Sequence, residues 1–176
     1  MQKCFTICLL ALVTSGGIGL RADPADPAAR PSTHVAGPHV RGASPRMTQL
    51  LQLAIQRSYT FASLVKQIDA TDVIVHVEEV PTLPSGIDGR LTFVHAAGGV
   101  RYLRAQVAMG RGAIDLMSTV GHELQHALEV ALAKEVRDEA SFEALYVRIG
   151  DKPAHPDRYD TPAAREAGRR VRNEMS

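Results

Sequence analysis

Two histidines four residues apart, His122 and His126, stand in the middle of a run whose apolar residues recur at helical spacing. Met117, Val120, Leu124, Leu128 and Ala131 fall on one stripe. Asp115, Ser118, Thr119, His122, His126 and Glu129 fall on the opposite one. This period of 3.6 predicts an amphipathic helix over 113–133, with Gly110-Arg111-Gly112 as the break before it. Positions i and i+4 of a helix share a face one turn apart, so both imidazoles can reach a single ion. A fold built on this helix must bury its back and leave its front against a cleft or solvent.

The flanking elements follow from local signals. Ser44-Pro45 has the form of an N-cap followed by a first helical proline. It predicts one long or two shorter helices over 46–69, with a break near Ser58-Tyr59-Thr60. Val73-Ile74-Val75-His76-Val77 is β-branched and short, as a buried strand is. Segments 90–95 and 100–107, joined through Gly98-Gly99, read as an antiparallel hairpin. The strand over 100–107 has two readings: an ordinary sheet strand with solvated arginines, or an exposed edge on which an extended peptide adds as a further strand. Asp138 or a neighbour can cap a helix up to about Ile149, with Gly150 as its stop. Thr161-Pro162 starts a final helix with Ala164, Ala167 and Val171 on one face. The expected class is α+β: a small, mostly antiparallel sheet packed on the central helix, with further helices.

The 176 residues fit one domain. Residues 1–22 have the layout of a secretory signal peptide: Lys3, an apolar run from Cys4 to Val13, and small residues up to Ala22. That run is too short for a comfortable membrane span. Residues 23–45 hold five of the ten prolines and no apolar period, so they are expected to be a disordered linker before a metal-binding domain over 46–176. His34 and His39 of that linker are read as solvated. The expected location is secreted or periplasmic, with no stable membrane span once the signal is removed. Both cysteines, Cys4 and Cys8, lie in the signal segment, so the exported chain has no thiolate chemistry. Loss of Lys3 and Arg21 lowers 20 basic residues to 18 against 19 acids. A near-neutral chain gives no sign of a nucleic-acid partner.

His122-Glu123-Leu124-Gln125-His126 has the H-E-x-x-H form. Neutral imidazoles of His122 and His126 suit Zn²⁺. Glu123 lies about 100° round the helix from His122, placed to serve a metal-activated water as general base without being a ligand. The residue types therefore point to hydrolysis of a peptide bond without a covalent intermediate. Two nitrogens do not complete a site. Glu129 is the favoured third ligand, because it lies on the histidine stripe; Glu143 on the next helix and Asp160 before the last one are the alternatives. His76 and His95 have no ligand-type spacing and read as ordinary strand residues.

Gly121-His122-Glu123-Leu124-Gln125-His126-Ala127-Leu128-Glu129-Val130 resembles the active-site helix of the zincin superfamily of metallopeptidases. It is most similar to a group of small exported bacterial proteins with a G-H-E-L-x-H-A-x-E helix. In that group, a segment like Tyr159-Asp160-Thr161-Pro162-Ala163-Ala164 leads into the final helix. The group carries glutamate where this chain has Asp160, which argues against Asp160 as a ligand. The resemblance implies a zincin-like fold whose edge strand runs beside the helix, zinc on His122 and His126, and Glu123 as base. The expected function is an exported zinc metallopeptidase acting on a peptide or protein. The alternative is a non-catalytic zincin-fold protein that binds metal or a partner, and a metal-dependent hydrolase of non-peptide bonds is a third reading.

Overall fold

The computed structural model describes residues 37–84, 86–151 and 160–176, all within one compact unit, Ser32–Ser176. The expected signal peptide, the linker up to residue 36, His34 and Tyr159 lie outside the described residues. In chain order the elements are β1 (Val40–Gly42), α1 (Pro45–Arg57), α2 (Tyr59–Asp69), β2 (Val73–Val80), β3 (Gly89–Ala97), β4 (Val100–Ala108), α3 (Ala113–Leu132), α4 (Glu139–Ile149) and α5 (Pro162–Met175).

Helix boundaries follow the capping residues. The Ser44 hydroxyl accepts from the Met47 amide at 3.1 Å, with Pro45 next to it. Ser58 ends α1 and starts α2: its amide donates to Ala54 O at 2.8 Å, and its hydroxyl accepts from Phe61 N–H at 3.0 Å. Asp138 and Ser141 form a reciprocal capping box on α4, and Thr161 caps α5. Gly150 closes α4 by donating to Tyr146 O at 2.9 Å.

The sheet order is β1-β2-β4-β3. β3 and β4 form the expected antiparallel hairpin, with Leu91 opposite Ala105. The sheet is nevertheless not mostly antiparallel. β4 lies parallel to β2, and β2 lies parallel to β1, so two of its three pairings are parallel. β4 enters the gap between β2 and β3 because the link from β2 carries β3 two strands away. The supposed disordered linker also needs correction. Val40–Gly42 is a strand, with Val75 N–H donating to His39 O at 2.8 Å. His39 is 3% exposed rather than solvated, and its amide donates to Asp69 Oδ1 at 2.8 Å. Three residues in a Pro- and Gly-rich stretch carry no pattern of their own; β1 exists because β2 offers it an edge.

Val73, Val75, Val77, Leu103, Ala105 and Val107 point into the core shared with Val120, Leu124 and Leu128 of α3. The other sheet face is polar: Arg41, His76, Arg104 and Thr92 lie in register across the four strands. His76 and His95 are exposed, and His95 stacks on Tyr102 at 4.4 Å between centroids. Among the described residues, no helix is long and apolar enough to cross a membrane.

One arginine of β4 is not solvated. Arg101 is 0% exposed. Its guanidinium grips Asp72 through Nε at 3.0 Å and a second nitrogen at 2.7 Å. It also donates to the Val130, Ala131 and Ala133 carbonyls at 2.6, 2.9 and 2.8 Å. The last turn of α3 has no basic residue of its own, and its unpaired carbonyls form a negative helix end. Arg101 supplies that charge from the sheet, and Lys134 joins Asp72 at 3.0 Å.

Replacing Arg101 by Leu leaves Asp72 without its main partner and several buried carbonyls without donors. Urea unfolding should show a loss of about 3–5 kcal/mol, the range for breaking a buried pair by removing one member. Burial alone raises the Asp72 pKa, but hydrogen bonds from Arg101 and Lys134 outweigh it and hold the carboxyl well below the usual carboxylate range. Its folded pKa therefore lies below its unfolded one. This contribution to stability is complete above about pH 4, the unfolded value, and is lost as pH falls toward the folded one. In Asp72→Asn, thermal unfolding should show a deficit that is constant above about pH 5 and narrows on acidification.

Candidate metal centre

α3 is buried on nearly every side. Its polar stripe was expected to face a cleft or solvent, but Ser118, Glu123 and His126 are only 7%, 5% and 5% exposed. The cause is α5, which packs along that stripe. Gly168 makes the approach possible: a Cβ there would lie 3.1 Å from Ser118 O and 3.3 Å from the His122 Cβ. The Ser118 hydroxyl satisfies the Gly168 carbonyl at 2.9 Å. The stripe still opens on a cleft of about 750 Å³, walled by β3, α3, α4 and α5 and lined by His122, Glu123, His126 and Asp160 among others.

Three ligand-type atoms converge on this cleft. His122 Nε2 and His126 Nε2 are 3.2 Å apart. Asp160 Oδ1 lies 3.5 Å from the first and 3.9 Å from the second. The point equidistant from these three corners is about 2.1 Å from each, the length of a zinc–nitrogen or zinc–oxygen bond. Among the described residues, this is the group of His, Asp and Glu side chains that could hold an ion. The donor set fits a zinc-like cation: two imidazoles and one carboxylate, with the cleft alongside.

The third corner is Asp160 and not Glu129. Glu129 is turned to the back of His126: its Oε2 meets Nδ1 at 2.9 Å, and its Oε1 accepts from the Thr161 hydroxyl at 2.7 Å. Glu129 therefore lies behind the imidazole, and its oxygens are not among the atoms that converge on the cleft. A donated Nδ1–H leaves the Nε2 lone pair of His126 directed into the cleft. Glu143 is exposed on the α4 wall and is not one of the converging groups. Asp160 reaches the histidines because it directly precedes Thr161, the cap of α5, whose amide donates to Asp160 Oδ1 at 2.7 Å. The shorter carboxylate is sufficient because the helix start places its backbone close by.

The two imidazoles titrate in opposite directions. Burial, then the neighbouring His126, push His122 down to about 4, so it is neutral at pH 7 and its lone pair is available to a ligand-seeking ion. Burial lowers the pKa of His126 as well. There, however, the hydrogen bond to Glu129 and the charges of Glu123, Glu129 and Asp160 prevail and raise it.

Burial pushes Glu123 up to about 7, against the pull of His126 and a hydrogen bond from the Leu91 amide. Its carboxylate lies against β3 at a point where only glycine fits. A Cβ on Gly89 would be 2.5 Å from Glu123 Oε1 and 2.6 Å from the Thr119 methyl. Among the described residues β3 has a partner strand on one side only, and it is the sheet edge that lines the cleft. β4 is paired on both sides, so the exposed edge considered for 100–107 does not exist.

Three contributors escaped the sequence reading. Thr161 had been recognised only as a helix start, and Gly89 had no visible role. Tyr146 of α4 donates its hydroxyl to His126 O at 3.0 Å and sets its ring edge-on to His126. Comparison with protein-family profiles, curated proteins and solved structures returned no match.

Removing the support behind His126 should weaken the site without destroying it. Glu129→Ala should cost about 10–100-fold in zinc affinity, the usual effect of losing such a partner. Competition with a chromophoric chelator measures this. An unchanged affinity would show that Glu129 does not orient the histidine.

Proposed function

We propose that this chain is an exported, zinc-dependent peptidase of zincin type. The observation that carries this reading is the triangle of His122 Nε2, His126 Nε2 and Asp160 Oδ1 on the wall of the cleft that also holds Glu123. Zinc held by these three residues would supply Lewis acidity, acidifying water and polarising a carbonyl.

The chain's own residues supply the rest. Glu123 has a pKa raised to about 7, well matched to taking a proton from the attacking water at neutral pH. It then returns that proton to the leaving amine nitrogen, so the peptide bond breaks to an acid and an amine with no covalent link to the protein. The Leu91 amide holds the carboxylate toward β3. Among the described residues β3 has a strand partner on one side only, and its other edge can receive an extended peptide by strand addition, the role considered for 100–107. Export rests on the layout of residues 1–22.

In a non-catalytic metal-binding protein, the alternative, Glu123 would have no task. The two readings separate on paired variants of the mature protein. Glu123→Gln should keep stoichiometric zinc by elemental analysis and lose about 10²–10⁴-fold in hydrolysis of an unstructured protein substrate. His122→Ala should lose the zinc itself. Zinc binding without hydrolysis in the wild type would favour the alternative, and no zinc in the wild type would end the peptidase reading and leave the alternative only as a partner-binding protein.

A further inference from the structure

The two side walls of the cleft carry opposite charge. On α5, Arg165, Arg169 and Arg172 stand at helical spacing i, i+4, i+7, and all three line the cleft. On α4, Glu139 and Glu143 line the facing wall. The arginine row begins at the metal group itself, where Arg165 lies 3.2 Å from Asp160 Oδ2. Seven residues of helix carry it about 10.5 Å further, the reach of about three residues of extended peptide.

Each arginine has an acidic neighbour: Asp151 for Arg165, Glu166 for Arg169, and Asp115 for Arg172. These are surface bridges, with the arginine side chains 48%, 62% and 50% exposed. Exposed pairs of this kind contribute about 0–1 kcal/mol, so an incoming carboxylate can exchange for the resident one at little cost. Arginine also presents a planar fork suited to a carboxylate.

We propose that the α5 wall selects peptide substrates carrying acidic side chains within about three residues of the scissile bond on one flank. The clause on cleavage rests on the peptidase reading; the recognition of an acidic segment does not. Glu139 and Glu143 repel the same segment from the opposite wall. The charge pair of walls therefore fixes which flank of the substrate lies along α5.

The test uses zinc-loaded Glu123→Gln, which should bind peptides without cutting them, and fluorescein-labelled decapeptides. One peptide carries three aspartates on one flank, and its control has asparagine at those places. Anisotropy should show about tenfold tighter binding of the aspartate peptide, with the advantage shrinking as salt rises. Adding Arg169→Glu and Arg172→Glu should abolish or invert that advantage while leaving zinc content unchanged. Arg169→Gln with Arg172→Gln, a milder pair, should reduce it. Equal binding of the two peptides, or an advantage untouched by the double variants, overturns the proposal. Acidic preference in binding with no hydrolysis by the wild type would support the proposal and overturn the peptidase reading. Hydrolysis with no acidic preference would do the reverse.

Discussion

A half-buried carboxylate joins the two halves of the site. Glu129 meets His126 Nδ1 with one oxygen and the Thr161 hydroxyl with the other. A polar group drawn partly out of water needs hydrogen-bond partners, and these two contacts give each of its oxygens one. The result ties α3 to the first turn of α5. Asp160 is carried along because it directly precedes the cap. The position of the third donor is therefore set by helix geometry and by Glu129, through residues 32 apart in sequence.

The other end of α3 is held by a fully buried charge. Arg101 rises from β4 to close the helix carbonyls and grip Asp72 at the start of β2. Between these two fixed ends, the helix can carry polar groups through the protein interior. Small residues do the rest: Gly168 brings α5 close, and Gly89 leaves room for the Glu123 carboxylate. Charge, hydrogen bonding and missing methyl groups together turn an interior helix into a site.

The helices were legible in the sequence because their signals are local. Ser44, Ser58, Asp138 and Thr161 announce their caps, and the H-E-x-x-H run lies on α3 as its spacing requires. The hairpin was legible for the same reason. The order of the sheet was not, since nothing in 100–107 says which strand will lie on its far side. Burial of Arg101 was equally hidden, because an arginine in a strand reads as solvated until a helix end is placed over it. Among the candidate ligands, the helical stripe favoured Glu129. That stripe does place Glu129 beside His126, but behind the imidazole rather than in front of it. Asp160 was weighed down because the resembled group carries glutamate there, yet its carboxylate is the one that faces both histidines, at the start of α5.

The backbone closes on itself just before this site. Asp151 N–H donates to Asp160 O at 2.9 Å, so the chain leaves α4 and returns to α5 at nearly the same point. That bond tethers Asp160 from the α4 side, while its own carboxylate accepts from the Thr161 amide on the α5 side. The residue that faces the two histidines is therefore held by hydrogen bonds from both flanking helix ends, and a donor tethered in this way has little further freedom to lose when it takes a ligand.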